Sequence, residues 1–147
     1  MNAGMLRRSF ELITERAPDV AHGFYELLFT RYPVVVPLFG RSPAVRRESM
    51  LTQALIALMD HLDDASWLTV ALPALGAKHV AYGVTTEMYG WVGECLLATF
   101  AKISGDSWTP ELAEAWTDAY GAVASLMQTG APVPDHSTEA RMGALTR

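Results

Sequence analysis

Four histidines, one cysteine and a loose cluster of three arginines are the side chains of this sequence whose types could hold a metal, a proton or an anion. His136 lies in a polar C-terminal stretch and is expected to have no role. His22 stands near the start of a helical segment, at the surface or half-buried. His61 closes a helix, where a cation is favoured by the helix dipole. His79 differs from these. It follows the apolar face Leu68, Leu72, Leu75 and stands just before a Tyr82-Gly83-Val84 break. A histidine so placed is more often a satisfied core or boundary residue than a ligand, and spacing alone does not choose between the two.

The other groups exclude more than they suggest. Cys95 has no partner for an internal disulfide and no zinc pattern around it, so it reads as a small buried hydrophobe on a helix. Arg41, Arg46 and Arg47 are too few for a polyanion groove but enough to meet one or two carboxylates. With a net charge of −5 and scattered acids, a nucleic-acid partner is not expected. Asp63-Asp64 read as a solvated turn rather than an acid–base pair. There is no glycine-rich phosphate loop and no nucleophile elbow, hence no enzyme motif in the residues themselves.

These side chains must be positioned by helices. Half of the 147 residues are hydrophobic, at the upper end of the globular range, which leaves bulky side chains to line a pocket. One domain is expected over residues 1–130. Leu6, Phe10 and Ile13 mark a first helix, broken at Pro18, with Asp19 able to cap the next. That next helix shows Val20, Phe24, Leu27 and Leu28 on one face. Pro33 and Pro37 bracket Val34-Val35-Val36 and leave no room for a strand, so a short helical turn leads to Leu38-Phe39. Ser42-Pro43 reads as an N-cap with proline at the first helical position, opening a helix through Leu51, Leu55, Leu58 and Leu62. A shorter helix through Leu68, Leu72 and Leu75 reaches His79, with Pro73 near its start or kinking it. Gly83 stops it. Two more helices come after it, one with Tyr89, Val92, Leu96 and Phe100 ending at Gly105. The other starts at Thr109-Pro110 and holds Leu112, Trp116, Tyr120, Val123 and Met127. The fold class is therefore all-α, with about seven helices. Residues 131–147 are polar and poorly periodic and are expected to form a flexible tail. Met1–Phe10 has no long apolar stretch and no apolar run of about 18 residues occurs, so no membrane role and a cytoplasmic location are expected.

In this order the residues resemble the single-domain bacterial globins, a group similar to the haem domain of flavohaemoglobins. Four segments carry the likeness: Phe24-Tyr25-Glu26-Leu27-Leu28-Phe29 with Tyr32-Pro33; Leu38-Phe39; Leu75 to Val84 around His79; and Tyr89 to Leu97 with Ala115 to Gly121. The resemblance implies a globin fold around one haem b. The haem would be held non-covalently, since no CxxCH attachment motif is present. It implies His79 as the iron ligand, its other ring nitrogen donating to a backbone carbonyl, and an open sixth position. Phe39 would wedge the haem edge, and Leu51, Leu75, Val84, Tyr89 and Val92 would line the cofactor. Tyr25 would aim its hydroxyl at the open position, where a phenol donor stabilises a ligand carrying partial negative charge. Counting back from His79 places Arg47 where relatives often carry glutamine, with Leu51 one turn on. The connecting loop is shorter than in flavohaemoglobins, so Arg46 and Met50 remain the alternative register. Arg47 could donate to a ligand, pair with a haem propionate or turn to solvent.

A second departure concerns the proximal side. The family's acidic residue on the last helix, which with a tyrosine polarises the iron-ligand histidine, falls near Ala131 and is not acidic here. Tyr89 is present. The implied function is reversible binding of oxygen, nitric oxide or another diatomic ligand. Its enzymatic form is a nitric-oxide dioxygenase relying on a separate reductase. A gas or redox sensor acting through a partner protein is the alternative, and an exposed apolar patch on the last two helices would favour it. A haem-free interaction module is a third reading, against which stand His79, Phe39 and Tyr25 together.

Overall fold

The protein is described by a computed structural model covering residues 2–130. Among these residues there are six α-helices, two short 3-10 segments and no strand. The helices are α1 (Ala3–Arg16), α2 (Val20–Arg31), α3 (Ala44–Asp60), α4 (Ala65–Ala81), α5 (Thr86–Ser104) and α6 (Pro110–Thr129). The 3-10 segments are Pro33–Phe39 and Gly105–Ser107. The all-α expectation holds, and Val34-Val35-Val36 is the short helical turn its flanking prolines require. The tail from Ala131, with His136, lies outside the described residues.

Local chemistry sets most of the boundaries. The Asn2 side chain accepts from the Met5 amide, Asp64 from Trp67 and Thr109 from Leu112, each satisfying a free donor of a helix start. Pro110 follows Thr109 at the first helical position, as expected. Gly83 (φ +98°) and Gly105 (φ +55°) end α4 and α5 in the left-handed region that side chains avoid. Asp19 does precede α2, but its side chain makes no cap bond.

Two expectations need correction. Ser42 does not cap α3 with Pro43 inside it: the helix begins at Ala44 and Pro43 itself holds the cap position, extended at φ −62°, ψ 147°. Its carbonyl accepts from the Arg46 and Arg47 amides, so the proline supplies the first acceptor rather than the first turn. The helix bearing His79 is not the shorter one either. α4 has 17 residues, as many as α3, and continues through Pro73. Proline deprives the carbonyl four residues earlier of its donor. That carbonyl belongs to Thr69, an exposed residue, where water can satisfy it.

The core falls into two clusters. The larger joins Leu6, Phe10, Phe24, Leu28, Leu55, Phe100 and Trp116, drawn from α1, α2, α3, α5 and α6. The smaller joins Leu68, Leu72, Tyr89, Ala124 and Met127, from α4, α5 and α6. Inside the larger one, Cys95 is fully buried as an apolar residue, and Trp116 Nε1 donates to Ser9 Oγ at 3.0 Å. α4 packs on α6, whereas α3 packs on α2 and α1. Two helices consecutive in the chain thus lean mainly on different partners, although Leu58 of α3 also packs against the smaller cluster.

The α4–α6 contact is close because glycine allows it. A Cβ on Gly76 would overlap the Met127 carbonyl, and one on Gly130 would overlap the Pro73 carbonyl. The two backbones therefore touch at two points one above the other. α4 has this single long anchor, and His79 lies near its far end.

Candidate functional site

α2, the first 3-10 segment and α3 bring together a box of aromatic rings. Tyr25 and Phe29 sit four residues apart on α2 and so share a face. Phe39, at the end of the 3-10 segment, closes on both: its ring centroid lies 5.4 Å from Tyr25 and 5.3 Å from Phe29, edge to face. Such edge-on pairs are favoured by the ring quadrupoles. Arg47 enters from α3. Its guanidinium carbon stands 5.1 Å from the Phe29 centroid, 5.5 Å from Tyr25 and 5.9 Å from Phe39. Nη1 donates to the Ser42 carbonyl at 3.1 Å. Arg47 is half-buried, while Arg46 and Met50, the other register, are exposed. Leu51, one turn on, is half-buried against the larger core cluster, as are Tyr25, Phe39 and Val92.

The Tyr25 hydroxyl has no hydrogen-bond partner among the described residues. Burial pushes its pKa up to about 12, against a smaller opposing pull from the Arg47 charge. The phenol therefore keeps its proton through the physiological range and remains a donor.

A second group of candidate residues lies on α4, the turn after it and the start of α5. His79 Nδ1 lies 2.8 Å from the Leu75 carbonyl, one helical turn earlier. A carbonyl only accepts, so Nδ1 carries the proton and donates, leaving Nε2 as the basic nitrogen. Leu75 and Val84 are half-buried against the smaller cluster. Tyr89, on α5, is buried in that cluster, and its hydroxyl finds no partner among the described residues. Burial raises the Tyr89 pKa. Its carbonyl accepts from the Tyr120 hydroxyl at 2.6 Å, which fixes this turn of α5 against α6. The acidic position near Ala131, whose absence bears on the proximal side, lies outside the described residues. The turn after α4 touches the first 3-10 segment where Gly83 approaches Leu38 so closely that a Cβ would stand 3.1 Å from its Cδ2.

The structure thus brings Tyr25, Phe39 and Arg47 into direct contact. It gathers Leu75, Val84 and Tyr89 at the smaller cluster, with His79 one turn after Leu75 on α4, and packs Leu51 and Val92 on the larger cluster. Sequence reasoning assigned no role to Phe29, whose ring completes the box, although its spacing from Tyr25 was the available signal. Nor did it single out Gly76, a glycine within an apolar helix, the usual sign of a close backbone approach. His61 is no part of the site: its ring stacks on Trp67 at 4.1 Å and bonds the Ala57 carbonyl.

His22 is also outside it. It ties α2 to α3, with Nδ1 3.0 Å from Glu48 and Nε2 3.1 Å from Glu26. The Glu48 bond, then the charges of both glutamates, raise the His22 pKa. A raised folded value means the contact stabilises fully below the unfolded pKa of about 6.5 and fades as pH rises through the raised value. Melting wild type and His22→Gln from pH 5 to 9 should show a small gap that closes on the alkaline side. A gap independent of pH would contradict the charged tie.

The globin family model matches residues 22–127. Curated relatives include the flavohemoprotein of Bordetella pertussis, 30% identical over 125 residues, which cover 84% of this chain and 31% of that protein. The flavohemoprotein of Rhodopirellula baltica is 32% identical over 117 residues, 78% of this chain and 29% of that one. The chain thus spans under a third of the length of these relatives. Among solved structures, an engineered carbene transferase derived from a nitric-oxide-dioxygenase candidate of Rhodothermus marinus superposes with a TM-score of 0.76 at 27% identity. The match covers 99% of this chain and 96% of that one. A bacterial globin from Campylobacter jejuni shares the fold with a TM-score of 0.73 at 22% identity, over 87% of this chain and 92% of that one. With its helices superposing on these structures and the family model spanning α2 to α6, the chain adopts the globin fold and belongs to the globin family.

Proposed function

We propose that this chain binds one haem b between α3 and α4 through His79 and takes small diatomic gases, oxygen and nitric oxide among them, on the Tyr25 side. The observation that carries the reading is the His79–Leu75 bond. It orients the imidazole and gives Nδ1 the donor role, so that Nε2 is the ring nitrogen left to hold a metal. The surroundings fit the same group. α3 and α4 lean mainly on different partners, and Phe39, Leu51, Leu75, Val84 and Val92 are apolar yet only half-buried, as side chains are when a flat apolar partner completes their cover. When bound, haem supplies an iron with one position open to a ligand.

The protein's own part is then binding, orientation and proton placement. Tyr25 holds its proton and donates to a ligand that gathers negative charge. The rings of Phe29 and Phe39 keep water from competing for that donor. With one such hydrogen bond worth about 1–3 kcal/mol, release of the ligand slows about 5- to 150-fold. Tyr25→Phe should therefore speed oxygen dissociation, measured by stopped flow, within that range. An unchanged rate would take Tyr25 out of the distal role.

The enzymatic form of this reading is a nitric-oxide dioxygenase, in which nitric oxide, oxygen and one electron give nitrate. The flavohemoprotein relatives and the Rhodothermus marinus protein favour it. The electron would come from a separate reductase. Among the described residues no helix is long and apolar enough to cross a membrane. The large apolar side chains exposed there, such as Val34, Val45 and Val70, lie on the first 3-10 segment, α3 and α4 rather than on α5 or α6. The patch on the last two helices that a sensor's partner would use is therefore not favoured by an observation.

A further inference from the structure

Arg47 is the one charged side chain of the distal box, and its setting is incomplete. Of its three guanidinium nitrogens, Nη1 has the Ser42 carbonyl, while Nε is buried with no partner among the described residues. A buried donor left unpaired is costly, and more so on a charged group. The three rings around it attract the cation through their faces but offer no hydrogen-bond acceptor. No carboxylate among the described residues pairs with it. Glu48, its neighbour on α3, is turned to His22 at 3.0 Å. In a chain with net charge −5, a half-buried arginine without a carboxylate partner among the described residues is an imbalance that an incoming anion would correct. Tyr25, in contact with the same guanidinium, contributes a second unpartnered donor.

We propose that Arg47 and Tyr25 together make the distal pocket an anion-holding site, in which the Arg47 charge strengthens the binding of small anionic ligands and leaves that of neutral carbon monoxide little changed. Arg47 supplies the fixed charge and Tyr25 the neutral donor. The aromatic box holds the guanidinium in place, so it is oriented before the ligand arrives. The arginine acts here as a selector among ligands. This rests on the haem reading, because the iron supplies the other end of the ligand's attachment.

The test separates charge from packing. Ferric haem-loaded wild type, Arg47→Gln and Arg47→Lys are titrated optically with fluoride, and the ferrous forms with carbon monoxide as the neutral probe. Arg47→Gln should weaken fluoride about tenfold or more, since a charge-assisted bond is roughly twice as strong as a neutral one. Its carbon monoxide affinity should move by less than about threefold. Arg47→Lys, which keeps the charge but not the planar fork, should fall between wild type and Arg47→Gln for fluoride. Unchanged fluoride affinity in Arg47→Gln overturns the proposal. So does a parallel loss of fluoride and carbon monoxide affinity, which would mean that Arg47 only packs. If Arg47→Gln fails to fold, the lysine variant decides alone: fluoride affinity equal to wild type, or falling together with carbon monoxide, overturns it. Wild type that takes up no haem overturns the haem reading and this proposal with it, whereas normal haem uptake with fluoride unaffected by Arg47 overturns this proposal alone.

Discussion

His79→Ala is expected to abolish stable haem retention. Changing a group that only orients a metal ligand costs about 10- to 100-fold in affinity, so loss of the ligand itself should exceed that. The Leu75 carbonyl lies 2.8 Å from Nδ1, so the histidine's protonated nitrogen is committed and only Nε2 can bind iron. The fold should survive the change, because the side chain is not part of either core cluster and α4 is held by α6. The check is a titration of the haem-free variant with haemin, followed by gel filtration. No Soret absorbance should travel with the protein, and added imidazole should restore some of it. Normal incorporation without imidazole would overturn the assignment of His79.

Gly76→Val is expected to be the most damaging single substitution for the fold. A Cβ at this position would overlap the carbonyl of Met127, and neither partner is a side chain that can turn away. Overpacking of a core costs about 1–3 kcal/mol where side chains can give, and here two helix backbones must part. A loss of about 3 kcal/mol or more should lower the melting temperature by roughly 10 °C in a domain of this size. Haem affinity should fall with it, since α4 carries His79 and has α6 as its main anchor. Thermal unfolding by circular dichroism checks the first effect. A Gly76→Val variant as stable as wild type would contradict the close approach of α4 and α6.

The elements were legible where local chemistry sets them. Thr109-Pro110, Gly83 and Gly105 act within a few residues, and a linear sequence shows them directly. Two prolines around Val34-Val35-Val36 ruled out a strand for the same local reason. Pro73 shows the limit. Its effect depends on whether the carbonyl of Thr69 faces water, and only the packing of α4 on α6 decides which side of the helix is exposed. Pro43 supplies a carbonyl to the start of α3 rather than a first turn, a choice between two local options that nothing in the sequence distinguishes.

The site was legible to a different degree. His79 and Tyr25 came from resemblance, since a histidine after an apolar face and a tyrosine on a helix are each ordinary alone. The hydrogen bond from His79 to Leu75 agrees with their spacing of one turn, once the histidine is read as a ligand. Arg47 was the open question. Sequence allowed it to face ligand, propionate or solvent, because a long side chain near a helix start can take any of these. The inward pose depends on Phe29 and Phe39, which come from separate segments of chain, together with the Ser42 carbonyl. Such a convergence of three segments has no signature in local spacing.

The central claim is that a haem sits between α3 and α4 with one iron position open. The most direct measurement is the optical spectrum of the purified protein in its ferric, ferrous and oxygen-exposed ferrous forms. A Soret band, a five-coordinate ferrous form and a stable change of spectrum on adding oxygen are the predicted results. A protein that stays colourless after haem is added would contradict the account.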